Sequence, residues 1–396
     1  MGKKVSRREF IRAGGMVAAM TALGGLPLEL FAAQQRMARF PEKGDMILLT
    51  SRPPQLEMPP RYFNDLITPN DALFVRWHLS QIPLEVDLDS WRLKVSGHVG
   101  NELSLSMEDL QNKFEKVSFT AVIECSGNGR SLFDPRVAGG QWRNGAMGNA
   151  TWTGARLVDI LERAGIKKDS VEVAFDGLDG PPLPTISDFI KSIPTDLATG
   201  GDVIVAYEVN GAPLPMLNGF PARLVVPGWF ATYWVKSLSS IKVLNKPEAG
   251  FWMNPAYRIP DNPCACVSPG TKPAHTIPIN RMNTRSLIVE PVSGSLFRVG
   301  KVQEIKGLAL SGGYGVRDVT VSVNGGQTWH EAVLGQDLGQ YSWRQWSYSW
   351  KPETPGKYVV MARATDRIGG SQPFESLWNP SGYMWNKIET VEVTVA

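Results

Sequence analysis

The chain has 396 residues, 43% hydrophobic and 20% charged, with a formal net charge of +3. That balance suits a globular protein with a sizeable core and excludes the strongly basic profile of nucleic-acid binders and polybasic membrane-surface proteins. With 39 glycines, 29 prolines and only three cysteines, it predicts a turn-rich, β-rich body of two or three domains and no disulfide framework.

In chain order, Ser6-Arg7-Arg8-Glu9-Phe10 and the Ala/Gly-rich apolar stretch from Ala13 to Leu26 read as a twin-arginine export signal. The stretch is too short and glycine-rich for a membrane anchor. A cut near Ala33 assigns residues 1–33 to the signal and predicts a periplasmic protein exported folded, a route suited to a chain that takes up a complex cofactor first. Pro53-Pro54 and Pro59-Pro60 then punctuate an irregular entry segment. Residues 91–99 alternate, Leu93 and Val95 against Arg92 and Lys94, as a half-buried strand does. A helix is expected from Ser106, as N-cap, to Phe114. A second, capped by Thr153, carries Leu157, Ile160, Leu161 and Ala164 on one face and stops at Gly165. Residues 203–207 and 223–227 are short apolar runs that predict buried strands.

From about Leu287 the texture becomes that of a β-sandwich. Val319, Val321 and Val323 alternate up to the hairpin signal Asn324-Gly325-Gly326, residues 358–364 repeat the period of two, and Val391, Val393 and Val395 close the chain. The proline-rich stretch 255–278, which holds Cys264 and Cys266, is expected to be a linker or an active-site loop. Those two cysteines stand too close for an easy bridge, although one strained bond is not excluded.

Cys125 stands in Ile123-Glu124-Cys125-Ser126-Gly127-Asn128-Gly129-Arg130. Three readings are open for it: a buried structural thiol, a nucleophile paired with one of four histidines, or a metal thiolate. The glycines that let backbone approach a cofactor, and the export signal, favour the third.

Here the residues resemble those of the sulfite oxidase family of molybdenum enzymes, from about Ile67 to the C-terminus. The segment Cys125 to Arg130 is similar to the family's metal-ligand motif. Phe74-Val75-Arg76-Trp77-His78 resembles its first pterin-contacting segment, Trp152-x-Gly154-Ala155-Arg156-Leu157 the helix after the cysteine loop, and Gly177-Leu178-Asp179 a pterin contact. Asn218-Gly219-Phe220-Pro221-x-Arg223, leading to Trp234-Val235-Lys236, resembles the stretch that holds the pterin phosphate. Asn324-Gly325-Gly326-x-Thr328-Trp329 resembles the C-terminal dimerisation-type domain.

The resemblance implies an α+β, β-rich molybdopterin-binding catalytic domain at 34–284 and an immunoglobulin-like dimerisation-type sandwich at 285–396. It implies one molybdenum-molybdopterin per chain, with Cys125 as the protein's ligand and no haem in this chain. Arg76 and Arg130 would present fixed cations to a small oxyanion, and Tyr257 would hydrogen-bond it. Arg223 and Lys236 would neutralise the cofactor phosphate. Phe74, Val75, Trp77, His78, Asp179, Asn218, Trp234 and Val235 complete the implied cofactor contacts.

The activity so implied is oxidation of sulfite to sulfate by oxygen-atom transfer, with electrons passed singly to a c-type cytochrome, as acceptor or partner subunit, and a homodimer through the C-terminal domain. Alternatives are a sulfane dehydrogenase of thiosulfate oxidation, another family oxidoreductase such as a reductase of oxidised methionine, or a cofactor-free binding partner in a periplasmic complex. Two departures stand out. No lysine falls between Arg136 and Trp142, where animal enzymes have one, and a third substrate arginine has no match.

Overall fold

The computed structural model describes residues 36–396; the predicted export signal and its cut near Ala33 lie outside them. The described chain is mostly strand with few and short helices, as its glycine and proline content requires. Among the described residues no helix is long and apolar enough to cross a membrane.

A four-stranded sheet, Met37–Arg39, Asp45–Ser51, Pro54–Glu57 and Val75–Arg76, orders the entry segment that was expected to be irregular, and two five-stranded sheets build the rest of the first part. One runs Lys191–Pro194, Glu172–Gly177, Leu238–Leu244, Leu93–Gly97, Leu103–Leu105; the other runs Ala212–Pro213, Ile204–Val209, Met147–Arg156, Lys116–Glu124, with Arg223–Val225 pairing on Ile204–Val209. In Leu93–Gly97 the alternation holds, with Leu93 and Val95 buried and Lys94 exposed. The helix Met107–Asn112 is capped by Ser106, whose hydroxyl accepts from Asp109 N while Asp109 accepts from Ser106 N. This reciprocal box satisfies two otherwise orphaned donors at the helix start.

The second helix corrects its predicted beginning. Met147–Arg156 is a strand hydrogen-bonded on both sides, to Lys116–Glu124 and Ile204–Val209. Thr153 therefore caps nothing, and its hydroxyl pairs across the sheet with Ser118 at 2.6 Å. The helix is Leu157–Ala164 and ends at a left-handed Gly165, as expected. A β-branched residue between two ladders gains more from cross-strand pairing than from an N-cap.

The C-terminal part is a sandwich. Arg285–Glu290, Gln303–Leu310, Arg344–Trp350 and Val333–Leu334 form one sheet; Leu296–Phe297, Glu389–Val395, Gly356–Asp366, Val316–Ser322 and His330–Glu331 form the other. Val319, Val321, Val360, Val391, Val393 and Val395 fill its core with Trp346 and Trp350. Leu287, Leu308, Leu310 and Trp343 belong instead to the large core of the first part. The sandwich's inner edge is thus welded to the first part by apolar burial. Cys264 and Cys266 form a disulfide with Cα atoms 5.1 Å apart, so their closeness does not prevent a bond.

Candidate active site: a cationic cavity beside a buried thiol

The strand Lys116–Glu124 ends at the site. Its ladder with Met147–Arg156 runs to Glu124 opposite Met147, after which Cys125 N donates to Ala146 O at 2.9 Å and the chain turns. Asn128 staples the turn: its Nδ2 donates to Glu124 Oε1 (2.9 Å), and its Oδ1 accepts from Ala146 N (3.0 Å). The opposing loop is held by the buried Glu57 carboxylate, which accepts from Arg143 N (3.0 Å) and Gly145 N (2.9 Å). Backbone on both sides of Cys125 is thereby fixed, with the thiol 9% exposed.

That thiol looks into a cavity lined by Phe74, Arg76, His78, Ile123, Ser126, Phe189, Asn218, Arg223, Ala231, Thr232, Trp234, Lys236 and Tyr257 besides Cys125. Three cations line it and no carboxylate does. Among the described residues, Arg76, Arg223 and Lys236 make no ion pair.

Arg223 shows the energetic consequence. It is 2% exposed and donates to Asn218 O (2.9 Å) and Trp234 O (3.0 Å). Its Nε has no partner, and its guanidinium lies over the rings of Trp152 and Trp234. Burial pushes its pKa down to about 9 and that of Lys236 down to about 7, the neighbouring Arg223 adding to the latter. Taking such a charge out of water without an anion costs several kcal/mol, so the cavity is built for an anionic ligand.

His78 stacks on Phe189 at 3.6 Å between centroids and hydrogen-bonds the Tyr257 hydroxyl through Nε2. Burial, then the charges of Arg76, Lys236 and Lys191, hold its pKa well below the ordinary range, so it is neutral. Its Nδ1 has no partner, nor have Asn218 Oδ1, Ser126 Oγ and Thr232 Oγ1. Buried polar atoms are nearly always satisfied, and this set, all from residues that line the cavity, matches a polar ligand. Among the described residues no three His, Cys, Asp or Glu side chains converge as a metal site. A metal at Cys125 would therefore take its other ligands from a second molecule, and a dithiolene-bearing pterin phosphate fits the soft thiol, the orphaned polar atoms and the cations together.

Comparisons with known proteins agree. Residues 79–252 match the family model of the oxidoreductase molybdopterin binding domain, and residues 276–396 that of the Mo-co oxidoreductase dimerisation domain. Sulfite oxidase of Arabidopsis thaliana is 30% identical over 383 residues, covering 88% of this chain and 94% of that one. The chain belongs to the sulfite oxidase family. Chicken sulfite oxidase is 32% identical, with 89% of this chain and 79% of the relative covered. The rat mitochondrial enzyme is 36% identical over 87% of this chain, which spans only 65% of that relative's length. The crystal structure of the sulfane dehydrogenase SoxCD from Paracoccus pantotrophus superposes with a TM-score of 0.73 at 23% identity, over 99% of this chain and 92% of that one. That likeness shows the shared fold.

Of the residues singled out by this family's pattern, Phe74, Arg76, His78, Cys125, Asn218, Arg223, Trp234, Lys236 and Tyr257 meet at the cavity. Val75, Trp77, Asp179 and Val235 stand behind its wall. Trp77 donates its indole N–H to Leu217 O (3.1 Å) under the Lys236 ammonium. The Asp179 carboxyl is pushed up to about 6 by burial against the opposing pull of Lys236. Arg130 also stands off the wall. Its guanidinium fills a slot where a Cβ on Gly127, Gly139 or Gly382 would come within 3 Å, and it donates to Ser381 O (3.2 Å) and Gly140 O (3.1 Å).

One participant was missed. Tyr383 stacks on Tyr257 with centroids 5.6 Å apart and planes within 2°, and the Arg130 guanidinium lies over the Tyr383 ring, 5.2 Å from its centroid. Met384 N donates to Ser126 O at 3.2 Å. A C-terminal segment thus completes the cysteine loop, and its only sequence signal is an aromatic after Ser381-Gly382 in an irregular stretch.

Proposed function

We propose that the chain is a periplasmic molybdenum-molybdopterin enzyme that oxidises sulfite to sulfate and hands electrons singly to a c-type cytochrome. The observation that carries this reading is a cavity lined by a thiol, no carboxylate and three cations without an ion pair, one of them the buried Arg223. The bound cofactor would supply two-electron oxygen-atom transfer, and this chain's residues would bind and orient.

Cys125 would be the protein's metal ligand. Arg223 and Lys236 would hold the phosphate, with Asn218 and His78 offering their free polar atoms to the pterin. Arg76 would meet the anionic substrate, and Tyr257, its hydroxyl oriented by neutral His78, would hydrogen-bond it. Arg130, fixed behind them by Ser381 O and Gly140 O, would add positive potential to the same spot.

The remaining parts of the reading rest on sequence features and on relatives. The twin-arginine motif supports export, and the exposed Cys264–Cys266 disulfide accords with an oxidising compartment. The matched dimerisation model supports a homodimer through residues 285–396, with 34–284 as the catalytic domain. The test is sulfite-dependent reduction of cytochrome c by molybdenum-loaded protein, run beside thiosulfate and a sulfane-sulfur substrate. Turnover of the sulfane compound without sulfite turnover would replace the sulfite reading with that of a sulfane dehydrogenase.

A further inference from the structure

The disulfide Cys264–Cys266 has no part in the site described above, and its setting is unlike that of a structural staple. It closes a loop with one intervening residue, so it removes little entropy from the unfolded chain. Cys264 is exposed and Cys266 half-buried. Ala265 between them is left-handed, φ +49°, a conformation an alanine adopts only when something holds it there. Asn262 helps to hold it, accepting from Cys266 N (3.2 Å) and donating to Cys266 O (2.8 Å).

The loop also lies close to the site. It hangs between the strands Arg258–Pro260 and Thr276–Pro278, the first of which begins directly after Tyr257. Val267 N donates to Trp378 O (2.9 Å), and Ser381 Oγ to Arg258 O (3.3 Å). The stretch 378–384 that carries Ser381 and Tyr383 thus touches both ends of the loop.

We propose that this disulfide, on the loop that follows Tyr257 and the strand Arg258–Pro260, is a second, covalent site for sulfite. The choice of nucleophile rests on the sulfite reading above. Sulfite's sulfur lone pair forms a bond to Cys264 Sγ, the more exposed sulfur. The Cys264–Cys266 bond breaks, and its electron pair leaves on Cys266 as a thiolate. Charge balances, and no outside oxidant or reductant enters. Exposed disulfides are the labile ones, and opening this one frees Ala265 from its left-handed conformation. The Cys266 thiolate, tethered two residues away, attacks the S-sulfonate and expels sulfite when the free concentration falls.

The test uses the loaded enzyme with millimolar sulfite and no electron acceptor, read by intact mass and thiol trapping. The expected result is a mass gain of one sulfurous acid per chain and one new trappable thiol, both on the peptide containing 264–266, with reversal on dialysis. Cys264→Ser/Cys266→Ser shows neither. Ala265→Gly, which removes the left-handed penalty, lowers the fraction opened at a given sulfite concentration by roughly fivefold or more. An unchanged mass, modification only after denaturation, or two free thiols in the protein as purified would overturn the proposal. Sulfite oxidation is assayed separately with acceptor present, so an adduct without turnover removes the functional reading and keeps this one, and turnover without an adduct does the reverse.

Discussion

Arg285 Nη1 lies 3.3 Å from the Oε1 of Glu124, the residue directly before Cys125. The same guanidinium donates to Asn144 Oδ1 (2.6 Å) and reaches Glu389 Oε1 at 3.5 Å. A cation from the first strand of the sandwich is therefore buried between two carboxylates, one at the base of the cysteine loop and the other in the last strand. Burial raises the pKa of both carboxyls against the pull of Arg285.

Removing that cation leaves buried carboxylates uncompensated. Arg285→Met is expected to cost about 3–5 kcal/mol in urea unfolding. Adding Glu124→Gln and Glu389→Gln should recover a substantial share. Additive losses in the triple variant would show that the three side chains do not act as one network.

Arg223 predicts the opposite sign. Because it is buried without an anion, Arg223→Met should leave the cofactor-free protein melting at or above the unsubstituted one. The same change should weaken cofactor retention at least tenfold, measured as pterin and molybdenum per chain after gel filtration. A lower melting temperature with full cofactor content would refute the phosphate-holding role.

The pH dependence of stability follows from the buried lysines. Burial pushes Lys43, Lys191 and Lys236 each down to about 7 in the folded protein, from an ordinary value of 10.5. Between those limits the unfolded chain binds more protons than the folded one, so stability rises with pH. Cofactor-free protein should therefore melt higher at pH 9 than at pH 7. Loading should flatten the trend, because an anion beside Lys236 keeps it protonated. A melting temperature that falls over this range in the cofactor-free protein would contradict the assignment.

Tyr383 predicts a split between kinetic constants. Tyr383→Leu removes its stack on Tyr257 and its contact with Arg130, each worth on the order of 1 kcal/mol. The KM for sulfite is expected to rise roughly tenfold, with molybdenum content unchanged and kcat altered much less. Tyr383→Phe should behave as the unsubstituted enzyme. Equal KM values for all three proteins would remove Tyr383 from the site.

What could be read from the sequence was whatever is encoded locally. Cys125 follows a strand and precedes glycines; Arg76 and His78 share one short segment; Asn218 and Arg223 flank one turn. Each is recognisable within a few residues. Tyr383, Ser381 and Arg285 were not legible, because their roles exist only across the chain: Ser381 O meets Arg130 at a separation of 251 residues, and Arg285 meets Glu124 at 161. Arg130 was placed on the substrate wall from its motif, yet the three-glycine slot that sets it back is assembled from Gly127, Gly139 and Gly382. Thr153 failed for a related reason. Its neighbours on two strands, invisible in the local pattern, outweigh its capping preference.

The central claim is that Cys125 is the thiolate through which this chain holds a molybdenum centre that oxidises sulfite. Its most direct test is X-ray absorption at molybdenum on loaded wild-type and Cys125→Ser protein, with sulfite-dependent cytochrome c reduction measured on the same samples. The expected result is one sulfur ligand fewer in Cys125→Ser, with pterin retained and sulfite-dependent reduction lost. An unchanged sulfur shell, or full sulfite oxidation by Cys125→Ser with molybdenum in place, would contradict it.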